Sequence, residues 1–384
     1  MRYTVLAFVS CLILGCATTR LPPVSQNFRL EEDERRLWLR SEEEEKAIGR
    51  SGVVYKNEEL DLYLNEVAKR LVPPEILGSI PFKIVVIKSP LLNAFIYPNG
   101  VIYVHTGLLA RMDNEAQLAT LLSHEMTHAT HRHAIKQFRD ARNKTAFLAV
   151  LTYGTSGLAA PLGALGTLAA IRGYSREHEA EADREGFKLM VRAGYDPGEA
   201  PKLFLHLKQE VEEQKIKGPF FFSTHPRLCE RLENYEALVR TQGQKGPNGI
   251  QNGEIFLQKT ARVILDNARL DIKAGRFGAA QKAVEKYLRI KSDQAEGYCL
   301  LGEICRQRGE GSDIEKAKQH FQKAISVDRF YPDSHKGIGL IYYRQGQKAL
   351  AKEALELYLS LSPQAIDRGY IGEYITRCKE GGKE

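Results

Sequence analysis

A spacing in the last third of the chain constrains the fold most. Gly275, Gly309 and Gly346 recur at intervals of 34 and 37 residues. Ala280, Ala317 and Ala351 follow them, Gly302 and Gly339 precede the later two, and Tyr298/Leu301 match His335/Ile338. The spacing predicts units that begin near Ala261, Ala295 and Pro332, with Glu310-Gly311-Ser312 as a three-residue insertion and Pro363 closing the third unit. Each unit reads as two helices joined at a glycine. A two-helix unit cannot bury its apolar face alone, so successive units must stack into an α-solenoid. Residues 366–380 read as its capping helix.

Upstream of the repeat the composition shifts. Residues 241–254, "TQGQKGPNGIQNGE", are rich in Gly, Gln and Asn and read as a linker. The expected division is 1–15 signal peptide, 16–50 tether and acidic helix, 51–240 catalytic domain, 241–254 linker and 255–384 repeat domain. Residues 31–45 hold eight acids and three arginines and read as a solvated helix. Leu60, Leu64, Val67 and Leu71 fall at helical spacing. "PFKIVVIK" (81–88) reads as a strand, and 93–109 as two short extended pieces around a Pro-Asn-Gly turn. The fold class is therefore α+β, mainly helical, with a small β-sheet in the first domain. A formal charge of +7 is mild for 384 residues, and no basic run with interleaved aromatics appears, so no nucleic-acid partner is expected.

Five of the ten histidines lie between His105 and His133, four of them in "LLSHEMTHATHRH" (121–133). Asp113 is the expected N-cap of this helix. Residues i and i+4 share a helix face, so His124 and His128 can bind one metal with Glu125 beside them to handle a proton. His131 lies about 10 Å from His124 along a helix axis, too far for metal–nitrogen bonds near 2 Å. His131 and His133 are therefore read as surface residues or as supports behind the ligands. The third ligand is expected from "SREHEAEADREGF" (175–187). Glu179 and Asp183 share a face, Glu179 to ligate and Asp183 to accept the free N–H of a ligand histidine. His178 competes with Glu179, and Glu181 lies off that face. One Zn²⁺ suits this donor set and leaves a position for water.

Two further segments bear on location. "MRYTVLAFVSCLILGCATTR" has one early charge and an apolar run too short to span a bilayer. Its Ile13-Leu14-Gly15-Cys16 resembles a bacterial lipobox, which implies a lipidated Cys16 as the mature terminus and membrane anchor. Residues 145–171 carry no charge, but their glycines and Pro161 divide the run, so a helical hairpin over a cleft is preferred to a membrane span. Cys229, Cys299, Cys305 and Cys378 form no close-spaced zinc pattern and suggest no specific pairing.

His-Glu-x-x-His, then Glu-x-x-x-Ala-Asp, then "STHPRLCER" (223–231) together resemble the zinc metallopeptidases of the HtpX/BepA/CAAX-prenyl-endopeptidase type, over roughly residues 55–240. "NAF…PNGVIYVHTGLL" also fits the run before their metal helix. The C-terminal units resemble tetratricopeptide repeats. The resemblance implies a zincin-like endopeptidase domain with Glu125 as base. It also implies Asn93, Ala94 and Phe95 as a substrate-pairing edge strand, and roles for Ser223, His225, Pro226 and Arg231. His225 would stabilise the oxyanion or plug the open zinc position, and Arg231 would support the site from behind. His131 departs from the small residue usual there. With the lipobox and repeats, the resemblance implies a lipoprotein of the periplasm and outer membrane. It would degrade misfolded or stalled outer-membrane proteins, with the repeats recruiting clients or assembly machinery. Two rivals remain: a chaperone-like assembly factor with a latent protease, and an integral membrane peptidase spanning at 145–171.

Overall fold

The computed structural model describes residues 20–142, 174–213, 228–242 and 249–380. The signal segment, Cys16, the apolar run 145–171 and Ser223, His225 and Pro226 lie outside the described residues. Two compact units emerge: Met1–Leu108 with Met112–Phe256, and Leu109–Arg111 with Leu257–Glu384. Residues 250–252, read from sequence as linker, are tied to the first unit. Ile250 N donates to the Gly194 carbonyl, and the Gln251 carbonyl accepts from Glu115 N.

In the first unit, helices α1 (Glu32–Arg50) and α2 (Glu58–Leu71) precede strands β1 (Lys83–Ile87), β2 (Ala94–Ile96) and β3 (Val101–His105). The sheet order is β1-β3-β2. β1 runs parallel to β3 with Lys83 opposite Val101, and β2 runs antiparallel with Ala94 opposite Val104. β3 is buried along its whole length, as its central place requires, and β2 is an edge. The expected Pro-Asn-Gly turn joins β2 to β3, with Gly100 at φ 90°, a left-handed conformation that suits glycine.

Short helix α3 (Thr106–Arg111) leads to α4 (Glu115–Thr130), which carries the histidine motif. Its N-cap is Asn114 rather than the expected Asp113: Asn114 Oδ1 accepts from Gln117 N at 3.0 Å. Asn114 also donates to buried Glu199 at 2.7 Å, a partner 85 positions away that local spacing does not reveal, while Asp113 stays half-exposed. α4 is buried on every side except at Ala129. Its first residue, Glu115, accepts hydrogen bonds from Tyr63 (2.7 Å), Tyr195 (2.8 Å) and Asn252 (3.0 Å), and pairs with Arg70 at 3.0 Å. That carboxylate fixes the start of α4 against α2 and against the loop that follows α5 (Arg176–Arg192). Helices α6 (Glu199–Glu213) and α7 (Leu228–Gln242) complete the unit.

The acidic helix α1 is not simply solvated. Glu34 is buried and bidentate to Arg132 at 3.0 and 2.6 Å, while Arg139 grips Asp33 and Glu31. Ahead of it, Val24 N donates to the Thr130 carbonyl at 2.7 Å, and Leu21 and Leu37 pack on Ile135.

The second unit contains α8 (Gly253–Lys273, from Leu257), α9 (Phe277–Ile290), α10 (Ala295–Arg308), α11 (Asp313–Val327), α12 (Pro332–Arg344), α13 (Lys348–Leu361) and α14 (Arg368–Glu380). Gly275, Gly309 and Gly346 all hold φ near +70° at the turns between paired helices. Ala280, Ala317 and Ala351 are fully buried. A Cβ at Gly302 or Gly339 would come within 2.8 Å of Phe321 or Leu355, which explains the small residue at that repeat position.

One glycine matters most for the motif helix. A Cβ at Gly186 in α5 would lie 2.9 Å from His124 N and 3.0 Å from its Cα. Backbone cannot swing aside as a side-chain tip can, so Gly186→Val must part α4 from α5. It should lose at least about 1–3 kcal/mol in chemical denaturation, the usual cost of overpacking. Gly372→Ala, where a Cβ meets nothing within 4 Å, should be neutral or slightly stabilising in the same measurement.

Candidate metal centre

The close approach at Gly186 sets α5 against α4, and three side chains converge between them. His124 Nε2 and His128 Nε2 lie 3.0 Å apart, and each lies 3.6 Å from an oxygen of Glu179. All three residues are buried, and their nearest ligand atoms fall within 4.8 Å of one another. Among the described residues this is the one such group. Glu179 sits one turn into α5, where Ser175 caps the helix by accepting from His178 N at 3.2 Å. The competing His178 is not in the group; its ring stacks on His133 at 4.3 Å instead.

Support for His124 comes from behind. Its Nδ1 lies 3.0 Å from Asp183 Oδ1. Arg231, from α7, donates Nε and Nη2 to the same oxygen at 3.0 and 2.8 Å, and its guanidinium stacks over Phe204. Arg231 Nη2 also comes within 2.9 Å of His124 Nδ1. Arginine has no acceptor, so the productive bond at Nδ1 is its own N–H donating to Asp183. That tautomer leaves the Nε2 lone pair facing His128 and Glu179. Burial works to raise the Asp183 carboxyl, but the Arg231 charge and the His124 hydrogen bond outweigh it and hold it at about 2. Burial and Arg231 hold the His124 imidazole below its ordinary value, hence neutral.

His128 is held by His133, which the sequence reading allowed as a support behind the ligands, and by Tyr174, which it did not single out. Tyr174 stacks on its ring at 3.9 Å and 13°. Its Nδ1 lies 2.9 Å from His133 Nδ1, and His133 Nε2 lies 3.0 Å from Glu181 Oε2. Burial, with the imidazoles of His178 and His131, pushes His133 down to about 2. On a straight helix a residue five positions on points about 140° away. Here the helix ends at Thr130, Arg132 takes the left-handed conformation (φ 58°), and helix resumes over residues 133–142. The turn brings His133 back beneath His128.

Glu125 is buried next to His124 on the same helix. Asn93 and Ala94 are buried at the sheet edge, and Phe95 stacks on Tyr103 at 5.0 Å. Two imidazoles and a carboxylate, brought together out of water, fit a borderline metal such as zinc.

Residues 56–239 match the model of peptidase family M48. The chain thus carries a peptidase family M48 domain. Further along the chain, residues 337–364 match the tetratricopeptide repeat. The chain is 30% identical over 215 residues to the beta-barrel assembly-enhancing protease of Escherichia coli (strain K12), covering 53% of this chain and 43% of that one. The protein of the same name from Yersinia pestis is 30% identical over 271 residues, with 68% and 52% covered. The mitochondrial metalloendopeptidase OMA1 of Schizosaccharomyces pombe is 32% identical over 177 residues, with 46% and 52% covered. The chain spans about half the length of these curated relatives. A metal is the family's common requirement, and the M48 domain here has residues placed to hold one. No helix among the described residues is long and apolar enough to cross a membrane.

The Asp183–Arg231 pair is fully buried, so breaking one side leaves an uncompensated charge. Asp183→Asn should therefore destabilise the apo M48 domain by about 3–5 kcal/mol in urea unfolding. Exposed Glu230→Gln, one position from Arg231, should leave the midpoint unchanged.

Proposed function

We propose that this chain is a zinc-dependent endopeptidase of the bacterial periplasm, anchored to the outer membrane through lipidated Cys16. It cleaves misfolded or stalled outer-membrane proteins, and its repeat unit recruits clients or the assembly machinery. The carrying observation is the buried His124, His128 and Glu179 group with Glu125 beside it, inside an M48 domain. The printed name of the bacterial relatives, beta-barrel assembly-enhancing protease, supports the client class. The tetratricopeptide match supports a protein-recruiting role for the second unit.

His124, His128 and Glu179 would hold one Zn²⁺. When bound, zinc supplies a Lewis acid that polarises the scissile carbonyl and lowers the pKa of water. Glu125 accepts the proton of the attacking water and returns it to the leaving amine. The β2 edge, through Asn93, Ala94 and Phe95, would pair with an extended substrate, which gives length-dependent and sequence-tolerant binding. His225 would act from the Ser223–Arg231 segment, and we favour a removable plug over an oxyanion donor.

Casein cleavage and zinc content of the full chain test this reading. Glu125→Gln should keep zinc and lose hydrolysis, whereas His124→Ala, His128→Ala and Glu179→Ala should each lose zinc. Full zinc in Glu179→Ala, with loss in His178→Ala, would overturn the ligand assignment. His225→Ala should raise casein cleavage if the residue plugs the site, and lower it by about 10²–10³ if it stabilises the oxyanion.

A further inference from the structure

His133 has both ring nitrogens engaged by side chains. One faces a ligand histidine and the other a carboxylate: Nδ1 lies 2.9 Å from His128 Nδ1, and Nε2 lies 3.0 Å from Glu181 Oε2. Proton positions along this chain follow from its ends. His128 presents Nε2 to His124 and Glu179, so a ligating His128 carries its hydrogen on Nδ1. That N–H has His133 Nδ1 as acceptor. An accepting Nδ1 leaves the single hydrogen of neutral His133 on Nε2, where Glu181 accepts it. The polarity runs one way, from His128 through His133 to Glu181, and each donor in it meets an acceptor.

We propose that His133 and Glu181 are positioning residues for the metal, holding the His128 tautomer and ring orientation that ligation needs. The inference rests on the reading of His124, His128 and Glu179 as the metal ligands. It makes the centre symmetric in design: Asp183 serves His124 directly, and Glu181 serves His128 through an intervening imidazole. The two carboxylates lie on one helix, so α5 supplies a ligand and a support for both histidines. Two features of the fold bear on this role. Arg132 is held in a left-handed conformation by its bidentate pair with Glu34, and this turns His133 inward. His133 is completely buried, yet its second nitrogen reaches a carboxylate at the partly open edge of α5.

Supports of this kind cost about 10–100-fold in metal affinity when removed. The test is equilibrium zinc competition against a chromophoric chelator, on the full chain, with circular-dichroism melting of each apo protein. His133→Leu should bind zinc 10–100-fold more weakly, still at one ion per chain. His133→Gln, whose amide can both accept from His128 and donate to Glu181, should recover most of that loss. Glu181→Gln, at a half-exposed position, should weaken binding in the same direction without altering folding. Glu185→Gln, also on α5 but paired to Arg184 and Lys188, should match wild type. Wild-type affinity in His133→Leu overturns the proposal, and so does an equal loss in His133→Gln, which would reduce His133 to packing. If His133→Leu fails to fold, unchanged affinity in Glu181→Gln overturns it alone. A wild-type chain that binds no zinc would sink the metal-site reading beneath it instead.

Discussion

A helix buried on all sides cannot leave its polar side chains to water, and α4 is such a helix. Much of the first unit is organised by the partners its residues require. Glu115 draws in Tyr63, Tyr195, Asn252 and Arg70 at one end. Thr120 and Thr127 return their hydroxyls to carbonyls four residues back. His124 and His128 meet the carboxylates of α5, and Asp183 in turn fixes Arg231. The apolar residues Leu118, Leu121, Leu122 and Met126 supply burial free energy that offsets the desolvation of these groups.

The same constraint explains the packing distance between α4 and α5. Imidazole nitrogens and a carboxylate can share one small ligand only if the helix backbones come close. Gly186 opposite His124 permits that approach. A stability requirement, small residue against backbone, and a chemical one, converging donors, thus meet at one crossing.

The parts legible from sequence were those that obey a fixed period. Two histidines four apart, Glu179 and Asp183 four apart, and glycines one repeat apart declare a shared face without any knowledge of partners. The structure brings His124, His128, Glu179, Asp183 and Arg231 together at one place. The parts not legible depend on breaks in period or on long-range pairing. His133 reaches His128 only because Arg132 adopts a conformation that arginine does not advertise. The run of acids in α1 reads as solvated until its partners, Arg132 and Arg139, are seen about a hundred positions downstream. Composition reports the charge of a helix, not whether another segment has come to neutralise it.

Those pairings have a mechanical consequence. Val24 is bonded to the last turn of α4, and Glu31, Asp33 and Glu34 clamp the segment after it, so the chain from Leu21 onward is fastened to the metal helix rather than hanging from it. Between Cys16 and Arg20 there are four peptide steps, a contour of at most roughly 14 Å. For a protein held at Cys16, the leash would then be shorter than helix α4 alone, about 24 Å at 1.5 Å per residue. Its working volume would be a thin layer over the lipid surface.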